Sequence, residues 1–320
     1  MAGLERRSSG PSPLSRSLTL RPARIIQVSA MATKLTEIVD ATRRRVEQSK
    51  RAADGRALEL QAQEHLPRGF RRHLEEQGRE RFAVIAELKK ASPSRGLIRA
   101  DFHAEVLARE LETGGAAALS VLTEEHYFQG SLENLRRASR STELPCLRKD
   151  FMVDEWQVLE ARAHSADAIL LIVAALSRIE FASLLRSARQ TGLDALCEVH
   201  DEEELKFVLD SGCDLVGVNS RDLKTFAVDS VTAYRLAPLF PASVVSVAES
   251  GIQSGAELRQ LRGAGYRAFL IGESLMKAES PGKYLQALLF EASSVDAGDI
   301  AAGDTRGESG VGLPSAPRLG

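Results

Sequence analysis

The stretch DAILLIVAALSRIEFASLLRSARQTGLDALCEV, residues 167–199, contains the unit from which the fold follows. Its first apolar run, 167–173, is too short for a helix that buries a core and indicates a buried strand. The segment after it is amphipathic at helical spacing and stops at Gly192, because glycine readily ends a helix in the left-handed conformation. A second apolar run follows at 194–199. This order predicts two parallel strands joined by a crossover helix.

The same unit recurs along the chain. The eight apolar runs lie at residues 83–89, 117–122, 145–149, 167–173, 194–199, 214–219, 243–248 and 267–271. Near-continuous apolar strands that alternate with helices are typical of a parallel sheet covered by helices, and eight units indicate closure into a (β/α)8 TIM barrel of the α/β class. An open doubly wound sheet is the main alternative. The barrel is favoured because no G-x-G-x-x-G follows the first run and because polar residues recur at the C-terminal ends of the runs.

The segments around the repeats divide the chain into three parts. Residues 31–292 are expected to form one barrel domain, in which 34–80 supply extra N-terminal helices before the first strand. Residues 1–30 are rich in Arg, Ser and Pro, which fits a transit peptide, a disordered leader or a misassigned start; we favour translation from Met31. Residues 293–320 lack periodicity and predict a disordered tail. Within the repeats, glycines are expected to end helices at Gly114, Gly192, Gly212 and Gly265.

The composition excludes several classes of protein. A hydrophobic fraction of 43% and a formal net charge of −2 are typical of a globular protein and predict neither a nucleic acid nor a membrane partner. Cys146, Cys197 and Cys213 lie in apolar segments without C-x-x-C spacing, which indicates buried reduced thiols and a cytoplasmic location. The six histidines lack the paired spacing of a metal site, so no metal is expected. His200, just beyond a run, is the one histidine of interest.

Charged and amide side chains follow several of the apolar runs. Glu87 and Lys89 end the first run two residues apart, and side chains at that spacing face the same side of a strand. Lys149, Glu198 and Asn219 end the third, fifth and sixth runs in the same manner. A single charge at a strand end usually reaches solvent. Because the C-terminal ends of barrel strands share one rim, however, these groups are expected to converge on one site.

Glycine turns after the last two runs predict a phosphate site. Gly251 and Gly272 would let backbone N–H groups approach a ligand, and a short helix after Gly272 would direct its positive end at a phosphate. Loops after the seventh and eighth strands are the usual phosphate site of this fold. The alternative is that both glycines serve tight turns only. Ser254 and Glu257 predict a capping box and hence a helix that starts just downstream.

The motifs ELKKASPSRG, LRKDF, CEVH, GVNSRDL, VAESGI and IGESLM together resemble those of the indole-3-glycerol-phosphate synthase family, over about residues 35–289. They come in order, one per strand end, although VAESGI alone occurs in other phosphosugar barrels. The resemblance implies a carboxy-lyase of tryptophan biosynthesis that converts 1-(2-carboxyphenylamino)-1-deoxyribulose 5-phosphate into indole-3-glycerol phosphate, carbon dioxide and water. It implies no cofactor, because the iminium formed on ring closure accepts the electrons released when carbon dioxide leaves.

The resemblance also assigns roles to residues. Lys149 would protonate the ketone oxygen, and Glu198 and Lys89 would transfer protons in the dehydration. Glu87 would support them or act as a base, and the division of acid and base roles among these coupled groups stays open. The implied catalytic set is Lys149, Glu198, Lys89, Glu87, Asn219 and Ser250. The implied substrate-binding set is Arg221, Glu249, Ser92, Pro93, Gly251, Gly272 and Glu273.

The implied binding roles follow the parts of the substrate. Asn219 and Arg221 would orient the anthranilate, whereas Glu249 and Ser250 would hydrogen-bond the sugar hydroxyls. The phosphate would be held by Ser92 and by the backbone N–H groups of three residues, Gly251, Gly272 and Glu273.

Three further expectations concern the surroundings of the substrate. Some family members carry a lysine where this chain has Ala91, so Lys90 is expected to supply the missing charge. Residues 93–96 are expected to close over the substrate as a lid, because excluding water strengthens charge interactions. The N-terminal helices, including Phe70, are expected to cover the aromatic ring; the alternative is that they plug the barrel.

Two rival functions remain open from the sequence. Another phosphosugar barrel, such as an isomerase or epimerase, would share the phosphate loops but needs fewer acid and base groups. A non-catalytic barrel that binds a phosphorylated ligand would need none of them. A phosphorylated small-molecule substrate is expected in either enzymatic case, and the sequence is compatible with a monomer.

Overall fold

The computed structural model describes residues 34–221 and 228–294, and within them eight parallel strands close into a barrel. The predicted leader, Met31, Asp222 and the tail from residue 295 onward lie outside the described residues. Around the barrel the strand order is β1-β10-β9-β8-β7-β6-β5-β4, and a separate antiparallel hairpin is formed by β2 and β3. The predicted TIM barrel is therefore confirmed, and the open doubly wound sheet is wrong.

The strands fall where the apolar runs predict them. Their bounds are β1 Ala83–Leu88, β2 Ala91–Ser92, β3 Gly96–Leu97, β4 Ala118–Leu122, β5 Cys146–Lys149, β6 Ala168–Ile172, β7 Asp194–Val199, β8 Leu215–Asn219, β9 Val245–Glu249 and β10 Ala268–Ile271. Each barrel strand pairs in parallel with two neighbours; the registers Glu87↔Ser120 and Asn219↔Glu249, for example, set residues of adjacent strands at the same height.

Alternation along the strands separates two apolar regions. Side chains that face outward, such as those of Val84, Cys146 and Val216, belong to the layer between sheet and helices. Side chains that face inward, such as those of Ile85 and Leu147, fill the barrel interior. Period-two alternation in a strand that is buried on both faces explains why the runs are nearly continuous in apolar residues.

Twelve α-helices occur in the described ranges. Their bounds are α1 Lys34–Ala52, α2 Gly55–Glu64, α3 Phe70–Glu80, α4 Ala104–Thr113, α5 Leu132–Arg140, α6 Glu155–Ala163, α7 Arg178–Gln190, α8 Glu202–Asp210, α9 Ser230–Leu236, α10 Gly255–Ala264, α11 Glu273–Lys277 and α12 Pro281–Ser293. Single 3₁₀ turns follow β6 at Val173–Ala175 and α9 at Ala237–Leu239. The predicted capping box is present, since Ser254 caps α10 with Glu257 as its partner. None of the described helices is long and apolar enough to cross a membrane.

Helix α3 closes the N-terminal end of the barrel. Phe70 and Leu74 are fully buried and pack with inward-facing residues at the strand starts. The turn before α3 is fixed by the buried Asp167 at the start of β6. Its carboxylate accepts hydrogen bonds from the Arg68 backbone N–H at 2.7 Å and from the Arg68 guanidinium at 2.6 Å, and it faces His65 Nε2 at 3.1 Å. Phe70 is thus part of a plug, and the expectation that it covers the substrate ring is wrong.

Helix α1 lies at the opposite end of the barrel. Val39 and Val46 pack with Val153, close to residues that follow β5 and β6. Ion pairs join its polar face to the barrel: Arg45 to Asp150 at 3.4 Å, Lys50 to Asp154 at 3.0 Å, and Arg43 to Glu180 at 2.8 Å. The N-terminal segment therefore contributes to both ends of the barrel, with α3 as the floor and α1 beside the mouth.

The prediction that a left-handed glycine ends the helix is correct at three of the four positions. Gly192, Gly212 and Gly265 have positive φ, but Gly114 does not (φ −71°), and the left-handed residue is Gly115 (φ 95°). Gly114 is small for another reason: a Cβ there would collide with the backbone of Gly282 at the start of α12.

The three cysteines are buried and free, with Cys197 Sγ 3.3 Å from Cys213 Sγ.

Candidate active site

The polar residues at the strand ends point into the barrel because each lies two positions after an inward-facing apolar residue. Leu147 precedes Lys149 in this way, Leu196 precedes Glu198, and Ile85 precedes Glu87. The same spacing relates Val247 to Glu249 in β9 and Gly217 to Asn219 in β8. The lower interior is apolar and its uppermost layer is charged, so the alternation that builds the core also assembles the site.

A cavity of about 1030 Å³ opens at this C-terminal end. Every predicted site residue lies in its wall: Glu87, Lys89, Ser92, Pro93, Lys149, Glu198, Asn219, Arg221, Glu249, Ser250, Gly251, Gly272 and Glu273. The structure thus brings together residues that are far apart along the chain. Their chemical roles stay predictions.

Lys149 is the centre of the charged layer. Its ammonium Nζ lies 2.9 Å from Glu198 Oε2 and 3.0 Å from Glu249 Oε2. Burial opposes the charge, but attraction to Glu198, Glu249 and Glu87 outweighs it and raises the pKa of Lys149 above its ordinary value. The lysine is therefore a charged proton donor at neutral pH, held between two carboxylates.

The two carboxylates beside Lys149 differ in charge state. Burial by itself would raise the pKa of Glu198, but the neighbouring Lys149 and His200 hold it well below its usual range. Burial raises the pKa of Glu249 to about 7, although Lys149 pulls in the other direction. Glu198 is consequently an anion at neutral pH, whereas Glu249 is close to half protonated. The surroundings thus give two chemically identical carboxyl groups different pKa values, as a pair of an acid and a base requires.

Asn219 fixes the orientation of three neighbours. Its Nδ2 donates to Glu198 Oε1 at 3.1 Å, while its Oδ1 accepts from Ser250 Oγ at 2.8 Å and from the Arg221 backbone N–H at 3.0 Å. Ser250 has φ 70°, a left-handed conformation that is strained for a residue with a side chain. That conformation turns its hydroxyl toward Asn219 directly after β9. The backbone strain is therefore associated with a defined contact in the site.

Glu87 and Lys89 form a second ion pair, with Nζ 2.6 Å from Oε1. Glu87 is buried, and its carboxylate lies against Gly272 so closely that a Cβ on Gly272 would overlap it. Gly272 therefore makes room for a charged group, a role that the sequence did not reveal. Lys89, the second lysine of the site, follows β1. Strand β4 lies between β1 and β5, the strand that carries Lys149.

The loops after β9 and β10 form one end of the cavity. Gly251 and Gly272 lie there as predicted, and Glu273 begins α11, whose first N–H groups have no partner within the helix. The Glu273 carboxylate is shared by three cations: Arg95 at 3.0 Å, Lys277 at 2.5 Å and Arg221 at 3.7 Å. Arg95 lies in the loop between β2 and β3, among residues 93–96.

The expected cation at this end was Lys90, and that expectation is wrong. Lys90 does not line the cavity, whereas Arg95 and Lys277 do. Both are charges on loops or short helices, where no periodic pattern indicates the direction of a side chain. The sequence could have suggested Arg95 only through its place beside Pro93 and Ser94 in the predicted lid.

The other end of the cavity is apolar. Leu122, Phe151 and Ile172 follow or end β4, β5 and β6, which lie across the barrel from β9 and β10. Leu35 and Ile38 of α1 complete this wall. The cavity thus has an apolar end, a charged middle and a cationic end. In the described ranges no cluster of three or more His, Cys, Asp or Glu side chains is arranged to hold a metal ion.

Comparisons with known proteins agree with this geometry. The family model described as indole-3-glycerol phosphate synthase matches residues 35–288. An indole-3-glycerol phosphate synthase from Koribacter versatilis is 56% identical over 259 residues, which cover 81% of this chain and 100% of that protein. One from Azospirillum brasilense is 47% identical over 261 residues, covering 81% and 100%, and one from Sulfurimonas denitrificans is 43% identical over 258 residues, covering 80% and 98%.

Solved structures of low sequence identity support the fold alone. The crystal structure of KGPDC from Streptococcus mutans superposes with a TM-score of 0.52 at 12% identity, covering 66% of this chain and 97% of that one. The family match spans the barrel and nearly all of α1, which together carry the whole cavity wall. The chain belongs to the indole-3-glycerol phosphate synthase family.

Proposed function

We propose that this protein catalyses the decarboxylating ring closure of 1-(2-carboxyphenylamino)-1-deoxyribulose 5-phosphate to indole-3-glycerol phosphate in tryptophan biosynthesis. The observation that carries the proposal is the position of Lys149. Its ammonium lies between Glu198 and Glu249, in the wall of a cavity with an apolar end that suits an aromatic ring and a cationic end that suits a phosphate. Family membership supports the same reaction.

The first step joins the ring carbon that bears the carboxylate to the ketone carbon. The electron pair of the carbonyl moves to oxygen, which takes a proton from Lys149 as its charge develops. The ring nitrogen becomes an iminium. Electrons from the bond to the carboxylate then restore the aromatic ring, and carbon dioxide leaves. The substrate itself accepts these electrons, so the loss of carbon dioxide needs no further group from the site once the ring has closed.

The second step removes water from the resulting hydroxyindoline. The hydroxyl needs a proton to leave, and the adjacent carbon must lose one. Glu198, held as an anion by Lys149 and His200, suits the base. Lys89, paired with Glu87 at 2.6 Å, suits the acid. Two protons are delivered and one is removed, so each turnover takes up one proton, which balances the loss of a carboxylate as neutral carbon dioxide.

The remaining site residues bind and orient the substrate in this proposal. Asn219 and Arg221 orient the anthranilate, and Glu249 and Ser250 contact the sugar hydroxyls. Ser92 and the backbone N–H groups of Gly251, Gly272 and Glu273 receive the phosphate, with Pro93 in the loop that closes over it. We further propose that residues 31–292 act as one barrel domain. The three free thiols support a cytoplasmic location.

The test is to supply the carboxyphenylamino-deoxyribulose phosphate to the purified full chain and to follow indole fluorescence. Lys149→Arg keeps the positive charge between the two carboxylates but cannot give up its proton. We expect it to fold with roughly 10²–10⁴-fold lower kcat, the usual contribution of a positioned acid. Lys283→Arg, on the exposed face of α12, is the matched control. No indole formation by the wild-type protein would refute the proposal.

A further inference from the structure

His200 extends the inward-facing row of β7 by one position. It lies two residues after Glu198, and its ring Nε2 is 3.5 Å from Glu198 Oε1. That Nε2 is buried and has no hydrogen-bond partner among the described residues. Glu198 Oε1 is instead occupied by the amide of Asn219, and Oε2 by Lys149. The imidazole therefore faces the catalytic carboxylate without forming an aligned hydrogen bond to it.

The start of helix α8 fixes the other side of the ring. Asp201 caps the helix by accepting the Glu204 backbone N–H at 2.9 Å. The Glu204 carboxylate reaches back past the cap, where it accepts the His200 backbone N–H at 2.7 Å and lies 3.1 Å from Nδ1. The sequence EVHDEEE, residues 198–204, thus sets one imidazole between two carboxylates.

An imidazole whose two nitrogens both face carboxylates is stabilised in its charged form. Burial alone would lower the pKa of His200, but Glu198 and Glu204 raise it to about 10. The charged groups that face the ring are Glu198 from β7 and Glu204 from α8, with Lys149 of β5 beyond Glu198. The site thus contains an imidazolium that the acid and base roles of the proposed reaction do not use.

The buried pair of Lys149 and Glu198 has two possible protonation states. In a low-dielectric interior the proton can pass from the ammonium to the carboxylate, which leaves a neutral lysine and a neutral acid. That state would remove the acid of the first step and the base of the second together. A second positive charge next to Glu198 disfavours it, because it penalises protonation of that carboxylate.

We infer that His200, held by Glu204, is a positioning residue that keeps Glu198 ionised and the proton on Lys149. The inference rests on the proposed function, since it needs Glu198 to act in catalysis. His200 touches no reacting atom in this role. It acts through Glu198, so its loss is expected to change kcat and its pH dependence while substrate binding is retained.

The experiment compares Glu204→Gln with Glu203→Gln. Glu203 is the preceding residue of α8, and its side chain is 89% exposed, so the second variant is a matched control. The amide oxygen of glutamine at 204 can still accept both the His200 backbone N–H and Nδ1–H, but glutamine lacks the negative charge that stabilises the imidazolium. In Glu204→Gln we expect the alkaline limb of the kcat profile to move down by at least one pH unit, with KM within twofold of wild type. Glu203→Gln is expected to match wild type.

Two further measurements separate positioning from mere support of the fold. In ¹⁵N NMR, both ring nitrogens of His200 should carry protons at pH 8 in the wild type but not in Glu204→Gln; His200→Gln assigns the signals. His200→Gln should fold and lose at least tenfold in kcat. Identical pH profiles and identical ring signals in the wild type and Glu204→Gln would overturn the inference. A wild-type protein that forms no indole would instead refute the proposed function, and the NMR result would still report the charge of His200.

Discussion

Gly217 of β8 leaves the space that the carboxylate of Glu249 occupies on β9, and a Cβ on Gly217 would overlap Glu249 Oε1. The same carboxylate contacts Lys149 through its other oxygen. A residue without a side chain thus determines where one of the two partners of Lys149 can lie. Gly217 is not in the left-handed region, so alanine adds no backbone strain there, and the overlap has to be relieved by a movement of the Glu249 carboxylate.

We expect Gly217→Ala to displace the Glu249 carboxylate from Lys149 and to lower kcat by roughly 10²-fold, the cost of a small misplacement in a site. The fold should persist. Gly263→Ala is the control, since a Cβ there meets open space in α10; it should keep full activity and gain about 0.5–1 kcal/mol of stability. Steady-state kinetics and urea unfolding test both. Wild-type turnover in Gly217→Ala would show that the position of Glu249 is unimportant.

Glu249 should make the protein less stable as pH rises toward neutrality. Burial raises its pKa from the ordinary value of 4.5 to about 7, so between these values the folded protein holds a proton that the unfolded chain has released. The contribution is fully present below pH 4.5 and is lost as pH rises through 7. At ~1.4 kcal/mol per pKa unit it is on the order of a few kcal/mol.

The measurement is urea unfolding of the wild type and Glu249→Gln at several values between pH 5 and pH 8. Glutamine cannot titrate, so the variant lacks this contribution. We expect the wild type to lose stability relative to the variant across the interval. A constant difference between the two proteins, or one of opposite slope, would contradict the raised pKa.

Glu273 should compete with an anionic ligand for the cations of the phosphate end. Its carboxylate binds Arg95 and Lys277 and faces Arg221. Glu273→Gln removes this competing charge, so we expect inorganic phosphate to bind roughly two- to fivefold tighter by calorimetry, in line with ~0.5–1 kcal/mol for partly exposed ion pairs. The exposed Glu279 nearby provides the control Glu279→Gln. Weaker phosphate binding by Glu273→Gln would mean that the carboxylate holds the cations in their binding positions.

Phe70 should matter for stability and hardly for substrate affinity. It is fully buried in the floor of the barrel with Leu74. Truncation to alanine leaves a cavity, which typically costs about 3–5 kcal/mol. We therefore expect Phe70→Ala to lower the free energy of unfolding by this amount with KM within twofold, whereas Leu66→Ala, at a site 79% exposed, should change neither. A large rise in KM without loss of stability would show instead that Phe70 contributes to substrate binding.

The sequence predicts the barrel and its charged layer because one rule governs both. Strand alternation has a period of two, so a run such as CLRK of β5 specifies that Leu147 and Lys149 face the same interior. Parallel strands end at one rim, which places Lys149 near Glu198 although 49 residues separate them along the chain. Periodicity and topology therefore suffice for side chains on strands.

Side chains outside the strands follow no such rule. Arg95 reaches the cavity from a hairpin loop, and only the folded chain shows that it meets Glu273. Lys277 pairs with the same carboxylate at the ordinary i,i+4 spacing of a helix, but the sequence does not show that this helix lines the cavity. Gly217 and Gly272 leave room for the carboxylates of Glu249 and Glu87, respectively. No local sequence pattern indicates such a contact with a residue on another strand. Phe70 was placed at the wrong end because its segment precedes the first strand, where helices can pack against either end of a barrel.

The closed N-terminal end of the barrel determines how the substrate enters the site and how the products leave it. Phe70 and Leu74 close the barrel from below in the part of the chain that the structure describes, so access is by the mouth beside α1. On the proposed function, all three products (indole-3-glycerol phosphate, carbon dioxide and water) must leave through the same opening by which the substrate enters. Indole-3-glycerol phosphate, the bulkiest of them, must therefore leave before another substrate molecule can enter.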